Sequence, residues 1–192
     1  MQVEMKYIVF FLSLLLFTSL TPSRVFASET QAVATPSATA TASSQIDYVL
    51  AYPGILPDNL LYPLKMIRDA IVGFLIADPL KKAQFDLLQT DKRVNAALFL
   101  ANSGDRKNLA LSTLSKAANY FEQAIDKTRQ AKKEGQDVQS FVNQLHLANE
   151  KHQQVVQEIQ SLLPGNKRSD LDGVRLRLQS YQKQVNQLMP TR

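Results

Sequence analysis

Asp137–Gly165 reads DVQSFVNQLHLANEKHQQVVQEIQSLLPG. Asp137 can accept a hydrogen bond from the unpaired backbone N–H groups of a first helical turn. Val138, Phe141, Leu145, Ala148, His152, Val155, Ile159 and Leu162 then recur at alternating steps of three and four, which places them on one face of an α-helix. Pro164-Gly165 ends the run, because proline cannot continue a helix and glycine suits its exit. The stretch therefore contains a start, an apolar stripe and a stop, and predicts a helix to Leu163 that packs against others.

The same grammar extends in both directions. Upstream, Asp105 can cap a helix that ends near Glu134 before Gly135, with Leu111, Leu114, Ala118, Phe121, Ile125 and Thr128 in rhythm. Before it, Asp78-Pro79 places a capping carboxylate ahead of a proline at the first helical position, and that helix runs to about Ser103 and stops at Gly104. Downstream, Ser169 and Asp172 have capping-box spacing ahead of Leu171, Val174, Leu178, Tyr181, Val185 and Leu188, and this helix ends before Pro190. Pro63 sits in the first turn of an earlier helix reaching about Ile76. No segment alternates like a strand. The last four helices would be roughly 30–43 Å long at 1.5 Å per residue. Similar lengths and short connections predict an all-α, up-down bundle of four to five helices over residues 51–190, with long antiparallel, coiled-coil-like packing.

The first helix is unusual. Leu60, Leu64, Ile67, Ala70, Ile71, Phe74 and Leu75 form one apolar arc, expected to face the bundle. Leu61, Val72 and Ile76 fall outside it, beside Lys65 and Arg68. Apolar side chains rimmed by charge form small interaction patches, so these five residues are the candidate partner-binding face. The competing account has the fifth helix covering this side.

Before the bundle come two other segments. Tyr7–Leu20, YIVFFLSLLLFTSL, is an apolar run of about 14 residues, short of the roughly 20 a spanning helix needs. Lys6 precedes it, and Val25 and Ala27 fit the small-residue positions of a cleavage site. Residues 1–27 are expected to be a signal peptide; if retained, the run becomes a membrane tether. Residues 28–50 are rich in Ala, Thr, Ser and Pro without apolar period, as in a flexible linker open to O-glycosylation. The expected location is outside the cell or in its envelope.

Composition removes whole classes of chemistry. No cysteine is present among 192 residues, which excludes disulfides, thiolate metal sites and covalent haem attachment. The net charge of +5 falls to about +4 without Lys6, Arg24 and Glu4. That suits weak contact with an anionic envelope surface rather than nucleic acid, which needs a clustered basic stripe. Lys127, Arg129, Lys132 and Lys133 do cluster, but at a helix C-terminus, where they complement its dipole. The only histidines, His146 and His152, lie six residues apart and point to different helix faces, with no Glu three residues before either. Asp86, Asp91, Glu122 and Asp126 fall on expected solvent-facing surfaces. His152 occupies a seam slot and is expected to be buried and neutral. No phosphate loop or nucleophile elbow occurs, so no catalytic residue, metal or cofactor is assigned.

Tyr52–Asp58 reads YPGILPD, followed by LYPLK at 61–65, Arg68-Asp69, DPLKKA at 78–83, DKRVNA at 91–96 and Gly104-Asp105. Together these resemble a family of exported prokaryotic helical domains of unknown function. The resemblance covers about residues 52–105 and implies an envelope location and a helical fold without assigning an activity. Asn95 stands where the family carries an acidic residue. Within YPGILPD, Pro53-Gly54 favours a turn, and Ile55 and Leu56 are expected to fold back as a clasp on the bundle end. The function expected is that of an exported, non-enzymatic helical module for protein interaction, self-association or a structural role. The alternative is a ligand-binding or sensor module with a small apolar molecule in its core.

Overall fold

The computed structural model describes residues 46–189. The sequence-based signal peptide, and the linker as far as residue 45, lie outside the described residues. Those that follow form α1 (Tyr62–Leu75), α2 (Pro79–Asn102), α3 (Lys107–Lys133), α4 (Gln139–Leu162), a 3-10 turn (Gly165–Leu171) and α5 (Asp172–Leu188), with no strand among the described residues. The molecule is the all-α bundle that the apolar periodicity predicts.

The helix ends show which punctuation was effective. Asp78 caps α2: its Oδ1 accepts from the Lys81 N–H at 2.7 Å, with Pro79 at the first position. α3 ends on Gly135 in the left-handed region at φ 82. There the Gly135 N–H reaches the Lys132 carbonyl and the Gln136 N–H reaches that of Ala131, satisfying two final-turn acceptors. The other expected caps are corrected. α3 starts after Arg106 with no side-chain cap. Asp137 lies one residue before the α4 boundary and accepts from the Gln139 N–H. Ser169 and Asp172 form no capping box, because 165–171 is already a 3-10 turn.

Four helices close a ring. α2 packs against α3 and α4, and α5 packs against α4 and α3. Consecutive α3 and α4 therefore lie across the diagonal rather than side by side. The α2–α3 hairpin is the most intimate pair. Its buried residues include Ala83, Ala97 and Ala101 on α2, and Ala110, Ala117, Ala118 and Ala124 on α3. Small side chains let helix axes approach closely. The core adds Phe121, Leu114, Leu145, Ile159, Leu171 and Val185. The seam residues expected on α4 and α5 are buried, except Leu162, which is half-buried.

α1 stands outside this ring and packs on α2. Ahead of it, Ile46–Asn59 runs along the bundle as an extended strap. Tyr48 and Leu50 pack on the core, and Pro53 is buried. Asn95 Nδ2 donates to the Ala51 carbonyl at 3.0 Å and Lys65 Nζ to the Pro53 carbonyl at 3.3 Å, while Arg106 pairs with Asp58. Gly54 makes the expected turn at φ 68. The clasp itself is corrected: Ile55 is exposed, and the residues that grip the bundle are Tyr48, Leu50 and Pro53.

Candidate functional site

α1 is mounted with its polar side inward. At about 100° per residue, Tyr62, Met66, Asp69 and Gly73 form a stripe opposite the main apolar arc. Asp69 and Gly73 are the buried residues of the helix, and Tyr62 and Met66 are half-buried. The contact with α2 is made of unlike groups. Arg93 Nη2 of α2 lies 3.4 Å from Met66 Sδ of α1, and the same guanidinium sits 4.1 Å over the Tyr120 ring of α3. Asp69 takes Arg68 Nη2 at 2.7 Å but has one oxygen unpaired. A Cβ at Gly73 would meet Phe85 Cε1 at 3.0 Å, so glycine is what lets α1 lie this close. Burial pushes the Tyr62 hydroxyl pKa up and the Lys65 ammonium down.

The arc expected to face the bundle instead faces out. Leu60 is 92% exposed and Phe74 88%, and Leu64, Ile67, Ile71 and Leu75 are all more than half exposed. The expectation that this arc enters the core is thereby corrected. Of the five candidate residues, Leu61, Arg68 and Val72 are exposed, while Lys65 and Ile76 are half-buried. On the wheel they follow one edge of the outward arc rather than forming a separate patch. The periodicity showed this stripe; the sequence signal for its direction was the buried-side set Asp69 and Gly73, which only the packing makes legible.

The second concentration of chemistry is internal. Tyr48 Oη donates to Asp91 Oδ2 at 2.7 Å, and Asp91 Oδ1 lies 2.7 Å from His152 Nε2. Phe121 meets the imidazole edge-on at 5.4 Å. His152 is buried as expected, but Asp91 and Asp86 are buried as well, which corrects their placement on the solvent-facing surface. Lys82 Nζ contacts Asp86 Oδ1 at 2.5 Å; burial nevertheless raises the Asp86 carboxyl pKa above its ordinary value. Burial, with Asp91 beside it, pushes the Tyr48 hydroxyl up. His152 Nδ1 has no protein partner.

This string resembles a proton relay, and its His152 end has no room for a reactant. The void against His152, Thr90 and Leu114 measures about 10 Å³, while small-ligand sites occupy roughly 300–1,000 Å³. At the Tyr48 end an open groove of about 680 Å³ runs along Ile46–Leu50, with Asn95, Lys151 and Glu158 in its walls. Among the described residues no three His, Asp or Glu side chains gather as for a metal. His146 is remote from His152 in role, taking Gln182 Nε2 at 2.6 Å and facing Glu150 at 3.3 Å. The basic cluster ending α3 is engaged: Lys132 Nζ donates to the Leu188 carbonyl at 2.8 Å, and Arg129 binds Asp126 and Gln184.

No curated protein and no solved structure matches the chain. Residues 54–166, more than half of the sequence, match the family described as Domain of unknown function (DUF5667), and the stretch contains α1 to α4 with most of the strap's second half. The polar-side-in helix and the buried Asp91 and His152 all fall within it, and the chain belongs to this family.

Proposed function

We propose that this chain is an exported, non-enzymatic helical module of the cell envelope that docks a protein through the outward face of α1. The orientation of α1 carries the proposal. A helix covering its own core would turn Leu64, Ile67, Ile71 and Phe74 inward, since burying each such side chain is worth about 1.5–3 kcal/mol. Here the core side takes Asp69 and Gly73 instead. Contiguous apolar surface of this kind on a soluble domain marks an interaction site. Export rests on the apolar run Tyr7–Leu20 behind Lys6.

The test is the paired substitution Ile67→Lys and Ile71→Lys, made in dilute protein. An open face predicts a melting temperature within a degree or two of the parent and loss of partner capture from envelope fractions. A face covered by the chain itself would bury unpaired charge, and stability would then fall by several kcal/mol. That outcome rejects the reading.

A further inference from the structure

We infer that the occupant of the α1 face is a second copy of this chain, seated helix against helix; the inference rests on the face being open. Leu64, Ile67, Ile71 and Phe74 of α1 recur at steps of three, four and three, with Leu60 in the turn just ahead of the helix. That is the spacing of a two-helix seam, in which each apolar knob enters a hole on a like helix. The identical stripe on another copy satisfies the self-complementarity of a two-fold contact.

The edges of the stripe favour a helix over a lipid surface. On one side lie Pro63 and Ala70, small or ring-bound side chains that admit a close neighbour. On the other lie Leu61, Arg68 and Leu75. Helices that lie in a membrane interface carry a polar face rich in Lys and Arg. Here the polar face is spent on α2, and the two charged side chains along the edge are engaged within the chain, Lys65 with the Pro53 carbonyl and Arg68 with Asp69. The seam itself contains no charge to repel its copy.

The area is also of the right order. The five seam residues with Leu61 and Leu75 are between 53% and 92% exposed. That amounts to several hundred Å² from each copy, so a symmetric pair reaches the low end of specific interfaces, near about 1,200 Å² in total. A reversible, concentration-dependent dimer follows. Because α1 is held by its back, this pairing requires no rearrangement of the ring.

The experiment uses the full chain, purified as the cell processes it. Sedimentation over a wide concentration range is expected to show a monomer–dimer equilibrium. Ile67→Glu is expected to weaken it by on the order of a hundredfold or more, while Leu176→Glu, at an exposed apolar site on α5, leaves it unchanged. Ile67→Cys supplies a second measurement that does not depend on tolerating a charge. The chain has no cysteine of its own, and the seam's middle meets its copy whichever way the helices run. Oxidation should therefore give dimers from Ile67→Cys and none from Leu176→Cys. A chain that stays monomeric at every concentration without cross-linking overturns the inference. So does a dimer indifferent to Ile67→Glu, or a monomer that binds vesicles of phosphatidylglycerol and phosphatidylcholine through this face. A fall in melting temperature of dilute Ile67→Glu protein would instead reject the open face beneath the inference.

Discussion

Asp91 joins three parts of the chain that are far apart in sequence: the strap through Tyr48, α2 through its own backbone and α4 through His152. Truncating it leaves the half-buried Tyr48 hydroxyl and the buried His152 imidazole without their partner. Asp91→Ala is expected to lower unfolding free energy by about 2–4 kcal/mol, read from urea midpoints, with Asp91→Asn costing less because an amide can still serve both partners. Tyr181 provides the pH signature. Burial, opposed by Arg177 and reinforced by Glu122, pushes its hydroxyl from 10.0 up to about 12. The folded chain then holds this proton more tightly than the unfolded chain does. Its contribution is complete below pH 10 and is lost as pH rises through about 12. The stability gap between parent and Tyr181→Phe should accordingly close over that range, and a constant gap would reject the assignment. Of these residues the sequence disclosed His152, because an apolar rhythm marked its slot. Asp91 stayed hidden because α2 is covered by α1, α3 and α4. A helix packed on three sides buries charged positions that a single-stripe pattern assigns to water.

At the scale of the element, the clearest start signal was also the one the fold uses. Asp78 carries the α2 cap, and the Lys81 N–H bond holds its carboxyl below the usual range. Asp78→Ala should lower the midpoint of chemical denaturation; no loss would mean that Pro79 alone sets the helix start. Asp105 and Ser169 had suitable side chains but lacked the backbone geometry, which local sequence does not specify. α1 shows the more general limit. Its apolar period was legible, as were its ends near Pro63 and Ile76. The direction of its stripe was not, because period fixes which residues share a face and says nothing about what that face meets. Reading an apolar face as inward assumes that the chain supplies its own cover. Gly73, against Phe85, was the available clue that the opposite side makes the close approach.

For the whole molecule, helix count, lengths and bundle class followed from the stripes and stops, while the ring order did not. Short connections fit a simple meander equally well, and the diagonal placement of α3 and α4 arises from the close alanine-lined pairing of α2 with α3. The strap was similarly opaque: Tyr48 and Leu50 fall at the end of the stretch 28–50 read as linker, yet both pack on the core, and Tyr48 and Ala51 are held by groups more than forty residues away. Its position has a mechanical consequence. Tension drawn along the chain from before Ile46 reaches Tyr48, anchored on Asp91, and then Ala51, anchored on Asn95, before it arrives at α1. Those two fastenings take the load first. α1 sits on the slack side of both, so a pull from the N-terminal end leaves its outward face undisturbed until the strap has peeled away.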